Sequence, residues 1–196
     1  MSKTTSILFL LCSFCLLQSC EQAYSPKPKG FPRIDLPKPA YQKLSLAAPY
    51  SFEHSAFAIV APDTTRLSEP YWIDIIYQNL GATVQITYKP INKNTLKLNE
   101  LVEDARMLIS KHQAKASAIE EQEISTASGH IAYVFKLSGQ VPTQFQFYTT
   151  DSTTHFLRGA LYFNTATAND SLAPVIDFVS KDMIHLLKTL TWTNKP

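Results

Sequence analysis

Cysteine is almost missing from this chain: three residues in 196, all at or before position 20. After Cys20 there is no thiol for a disulfide, a redox pair or a thiolate metal site, so burial alone must hold the downstream chain together. Glycine is scarce as well, at five residues, and no Gly-rich phosphate loop occurs. Neither charge dominates, with 18 Lys and Arg against 16 Asp and Glu, which gives no basic surplus for a nucleic acid and no acidic tail. The five histidines, at 54, 112, 130, 155 and 185, show no H-x-H or H-E-x-x-H spacing. Metal, nucleotide and redox sites all lack a motif, and no cofactor is expected.

Long apolar runs are lacking too. The longest, Ile7–Leu17, has eleven residues, about half of the ~20 that a membrane-spanning helix needs. Lys3 precedes it, and Leu17-Gln18-Ser19-Cys20 follows. A short apolar run ending in a small residue and a cysteine reads as a secretory signal with a lipoprotein cleavage box. The expected division is a signal peptide over 1–19, with the mature chain starting at an acylated Cys20. A plain transmembrane anchor is the rival reading. Cys12 and Cys15 have redox spacing but lie inside the signal, so no redox role is assigned to them. The domain is therefore expected in the cell envelope, membrane-anchored, with its folded part in the periplasm.

Residues 20–49 carry Pro26, Pro28, Pro32, Pro37, Pro39 and Pro49, with Lys27, Lys29, Arg33 and Lys38 among them. Proline at that density blocks helix and interior strand and favours extended chain, so this stretch is expected as a solvated tether. The alternative is an ordered arm docked through Phe31, Ile34 and Leu36.

One globular domain is expected over 50–196. Ala56–Val60, Tyr71–Tyr77 and Ala82–Lys89 read as strands, the last with Val84, Ile86 and Tyr88 on one face. Asn79-Leu80-Gly81 supplies a turn. The period then becomes helical through Leu98, Leu101, Val102, Ala105, Leu108, Ile109 and His112, with Asn94 or Thr95 as cap. Ile131–Leu137, the Phe145–Phe147 region and His155–Phe163 alternate again, while a strand near Ala118–Ile124 is weakly marked. A second helix carries Val175, Ile176, Val179, Met183, Leu186, Leu187 and Leu190, capped by Asp170 or Ser171 with Pro174 in its first turn. This order predicts an α+β fold, a mainly antiparallel sheet covered by two amphipathic helices. An α/β/α sandwich of the PsbP or Mog1 type is one concrete form, resting on element order alone.

Several segments carry a resemblance: Tyr50-Ser51-Phe52-Glu53, Trp72-Ile73-Asp74-Ile75, Ile86-Thr87-Tyr88-Lys89-Pro90-Ile91, Leu101-Val102-Glu103-Asp104-Ala105-Arg106, Lys111-His112 with Lys115-Ala116-Ser117-Ala118-Ile119, the run from Thr150 to Phe163, and Asn169 to Ile176. In this order they resemble the gliding motility lipoprotein GldD family of the Bacteroidetes. The resemblance implies an envelope lipoprotein needed for gliding and for type IX protein secretion, with no established enzyme activity. It also implies a cysteine pair just before the Tyr50 segment and just before the Trp72 strand. Ala48 and Tyr71 stand there instead, which implies an arm held less tightly.

The densest polar group is the turn with Asp151, Ser152, His155 and Arg158. A Ser/His/Asp hydrolase needs a nucleophile on a sharp elbow and an oriented base, and no G-x-S-x-G is present. An Asx-type turn is the plainer reading, with these four residues as candidate partner or ligand contacts. Strand parity puts His155 and Arg158 on opposite faces. His112, on the helix's apolar face, reads as a core histidine, and Glu120-Glu121-Gln122-Glu123 as a solvated acidic face or a dock for a basic partner. The expected function is a non-catalytic accessory of the gliding and secretion machinery. It is held to the membrane by acylated Cys20 and works through protein contacts rather than nucleic acid. An envelope hydrolase or a small-ligand carrier is the alternative.

Overall fold

The computed structural model describes residues 34–164 and 169–193, apart from the side chains of 169 and 170. The signal peptide 1–19, Cys20 and the tether up to residue 33 lie outside the described residues.

Alternation of large apolar and polar residues builds the main sheet. Its strands are β4 (Ile59–Pro62), β5 (Ile73–Tyr77), β6 (Ala82–Pro90), β7 (Ala116–Ser125), β8 (Ile131–Gly139), β9 (Phe145–Thr150) and β10 (His155–Phe163). They run antiparallel in the order β4-β5-β6-β10-β9-β8-β7. Gly81, at φ +60°, makes the β5–β6 turn in a conformation that a side chain would disfavour. After β6 the chain enters helix α1 (Thr95–Ser110), whose Asn94 cap accepts from the Lys97 amide at 3.1 Å. The chain then returns as a four-strand meander, so that β10 lies beside β6 at the centre.

Each face of the sheet carries an apolar cluster. Phe145, Phe147, Val134, Leu157 and Leu161 pack under helix α2 (Asn169–Thr189) through Val179, Met183 and Leu187. Their strand neighbours Phe135, Leu137, Tyr148 and Phe156 point the other way and meet Ala105 and Ile109 of α1. The fold is α+β as expected, with the two helices on opposite faces. α1 covers only the β8–β10 half of its face. The outward residues of β4–β6 there stay open, with Gln85 exposed and Thr83, Thr87 and Asp74 half-exposed.

Residues 34–49 correct the expectation of a solvated tether, as far as they are described. Ile34 and Leu36 pack against the core, and Leu44 and Ala48 are buried. Strand β1 (Tyr41–Lys43) pairs with β3 (Glu53–Ser55), and β2 (Tyr50–Ser51) pairs with β11 (Thr191–Trp192) at the end of the chain. Pro37 and Pro39 forbid helix but allow extended chain, and Tyr41–Lys43 is proline-free and can pair. The arm is also less loose than the missing cysteines imply. Tyr50 donates its hydroxyl to the Tyr71 carbonyl at 2.5 Å, which ties the arm to the residue where the resemblance expects a cysteine.

Four boundaries also differ, and the strand expected from Tyr71 begins at Ile73. The first sheet strand begins at Ile59, because Ala56–Ala58 forms a turn closed by the Ala58 amide on the Ser55 carbonyl. The weakly marked strand is β7, ten residues long. It is an edge strand with both faces largely in water, so no apolar alternation betrays it. Helix α2 starts at Asn169, so Ser171 and Pro174 lie inside it.

Candidate functional site

Asp151 organises the turn between β9 and β10. Its Oδ1 accepts the amides of Thr153, Thr154 and His155 at 3.0, 2.7 and 2.8 Å, an Asx-type cap. Burial would raise its pKa, but these amide bonds and the nearby His155 bring it below the ordinary value. The turn holds Ser152 at φ +64°, exposed.

His155 points the other way, into the α2 side of the sheet. Its ring is 6% exposed, meets the Tyr88 hydroxyl through Nδ1 at 2.9 Å, and stacks on Trp192 at 5.0 Å. Burial lowers its pKa and the Asp151 charge offsets this in part, so the neutral ring is favoured. The expected carboxylate–imidazole bond of a hydrolase is replaced on both sides: Asp151 holds backbone and His155 holds a tyrosine.

Arg158 emerges on the α1 face, where its Nη2 donates to Gln146 Oε1 at 2.8 Å. The structure thus separates the four sequence-predicted residues. Asp151 caps the turn, Ser152 is presented at its tip, His155 is buried on one face and Arg158 is half-buried on the other. Ser152 also lines a groove of about 670 Å³ with Thr150, Leu98, Val102 and Tyr133. Arg106 spans the same groove, reaching Tyr148 Oη at 3.1 Å and Glu121 Oε1 at 2.8 Å. Its guanidinium lies 5.6–5.9 Å from the rings of Tyr133, Phe135 and Tyr148. That pairing puts part of the acidic run of β7 to structural use.

A second polar cluster joins the arm to α2. Asp182, 3% exposed, accepts Tyr41 Oη at Oδ1 and Tyr77 Oη at Oδ2, both at 3.1 Å. One turn on, His185 stacks on the Tyr41 ring at 3.6 Å and pairs through Nε2 with Glu53 Oε2 at 2.7 Å. Burial raises the Asp182 pKa, and the hydroxyls of Ser55, Tyr41 and Tyr77 with the His185 charge pull it part of the way back. Glu53 is thereby committed to His185.

The profile of the family described as gliding motility lipoprotein GldD matches residues 21–192. The chain belongs to that family. GldD membership makes it a gliding motility lipoprotein, and none of its described helices is long and apolar enough to cross a membrane. Comparison with curated proteins finds no match. Among solved structures the fold is similar to the cyanobacterial PsbP (CyanoP) solution structure from Synechocystis sp. PCC 6803, at 10% identity and a TM-score of 0.42, covering 83% of this chain and 98% of that one. A score that low adds nothing to the strand order itself.

For this GldD chain, the Asp182 cluster is what reading the sequence missed. Asp182 sits within the apolar stripe of α2, and a carboxylate among Val179, Met183 and Leu186 is the signal that could have marked it. Its partners lie 141 and 105 residues away, a separation that periodicity cannot bridge.

Proposed function

We propose that this GldD protein is a non-catalytic accessory of the gliding and type IX secretion machinery. Acylated Cys20 holds it to the membrane after removal of residues 1–19, and its domain works in the periplasm by protein contacts. The β9–β10 turn is the docking element. One observation carries this reading: Asp151 locks three backbone amides and thereby presents Ser152 outward, beside the groove under α1. A pre-ordered turn next to a groove loses little entropy when a partner seats on it. Arg158 offers a cation on the adjoining strand.

The test is crosslinking in cells from a photoreactive residue at Ser152, with a second probe at Arg158 and Cys20→Ala as the control that loses lipidation. Recovery of gliding or secretion components from either probe supports docking. Recovery of none, with a lipid or glycan retained instead, overturns it in favour of a carrier or an envelope hydrolase. Charge reversal at Arg158 that leaves folding, motility and secretion intact removes Arg158 from the patch.

A further inference from the structure

Gln146 is a buried polar residue with half of its amide unused. It lies on β9, 1% exposed, and its Oε1 accepts from Arg158 while its Nε2 has no partner. A buried amide donor without an acceptor is uncommon and calls for an explanation. Because Oε1 and Nε2 belong to one planar amide, the unused N–H groups sit next to the Arg158 guanidinium.

Arg158 supplies the charge. His112 follows the C-terminus of α1, and burial, then the Arg158 and Lys115 charges, lower its pKa, which favours its neutral ring. None of the ion pairs among the described residues includes Arg158, His112 or Lys115. At this helix end Met107 O and Ile109 O accept from the Lys111 cap, and His112 O takes the amides of Lys115 and Ala116. Among the described residues, Arg158 and Gln146 thus offer donors with no carboxylate paired to them. The pair is also reachable, since Arg158 is half-exposed and pairs across the sheet with Thr87, in the half of this face that α1 leaves open.

We propose that Arg158 and Gln146 form a binding site for a small oxyanion, a carboxylate or a phosphate. A guanidinium fork matches two oxygens of either group, and the Gln146 amide adds a donor from the floor. The site shares Arg158 with the docking reading but goes beyond it, because it needs no protein partner.

Isothermal titration of the mature acylated protein in detergent micelles tests it, with inorganic phosphate, acetate and a soluble short-chain phosphatidylglycerol as probes. Saturable binding is expected for at least one of them, weakened about tenfold or more by Arg158→Gln. Gln146→Glu provides a second arm. It supplies the missing carboxylate from within, so the protein should melt no lower than the original chain yet lose binding. Tighter binding of the phosphatidylglycerol than of free phosphate assigns the anion to a lipid headgroup, and equal binding assigns it to a soluble anion. No saturable binding of any probe, or binding that survives both substitutions in folded protein, overturns the proposal.

Discussion

The Tyr77 hydroxyl donates to Asp182 Oδ2 at 3.1 Å inside the core, and the Tyr41 hydroxyl closes the other oxygen. One carboxylate thus joins the sheet, helix α2 and the N-terminal arm. Its burial works against ionisation, while Ser55, Tyr41, Tyr77 and His185 stabilise the charge. The N-terminal arm is therefore fastened by hydrogen bonds and stacking, in a chain with no cysteine after position 20.

Removing that carboxylate should loosen the arm before the sheet. Asp182→Ala strands the buried Tyr77 hydroxyl and is expected to cost about 2–4 kcal/mol, read from urea unfolding. Tyr41→Phe should cost about 1 kcal/mol and show first as faster proteolysis within residues 34–49. Equal protease resistance in Tyr41→Phe and the original chain would refute the latch.

Acid should destabilise the domain through its buried histidines. Burial lowers the pKa of His155, His54 and His112 from 6.5. Between each depressed value and 6.5 the unfolded chain binds more protons, so stability is lost as pH falls through that window. Asp151, also lowered, adds a loss at more acid pH, whereas Asp182, raised, acts in the opposite sense. Melting temperature should therefore drop from about pH 7.5 to about pH 5.5, with a shallower slope in His155→Phe. An unchanged slope in that variant would exclude His155 as a contributor.

Gly159 sits in the middle of β10 because a methyl group has nowhere to go. A Cβ there would lie 2.3 Å from Phe147 Cε1 and 3.0 Å from Ile86 Cδ1, on the strands to either side. Phe147 is itself 1% exposed and cannot swing away. Gly159→Ala is expected to destabilise by about 1–3 kcal/mol, as seen in chemical denaturation. A neutral result would mean that the β9–β10–β6 core repacks freely.

Asp151→Ala should cost about 1–2 kcal/mol and relax the turn, since three amides lose one acceptor. Asp151→Asn keeps the acceptor oxygen and should retain most of the stability. Amide hydrogen exchange at Thr153, Thr154 and His155 distinguishes the two, with faster exchange expected only in the alanine variant.

Much of the architecture was decided by the order of residues alone. Val84, Ile86 and Tyr88 alternate and became the buried side of β6, and Val179, Met183 and Leu187 recur at helical spacing and became the buried stripe of α2. The opposite facing of His155 and Arg158 was legible too, because a strand turns its side chains over at every residue. These are local periodicities, and a single side chain's environment on one element suffices to reveal them. Edge strand β7 was only weakly marked because water on both faces erases the alternation. The packing of Ile34 and Leu36 stood only as the alternative, because proline-rich extended chain reads alike whether solvated or docked, and that of Leu44 escaped. Arg158 meets Gln146 across one hairpin, a contact that strand register decides. The Asp182 cluster could come only from the tertiary structure, since Asp182 meets Tyr41 and Tyr77 only after the arm, α2 and the sheet have stacked. What decides such contacts is the desolvation of groups brought together from distant parts of the chain.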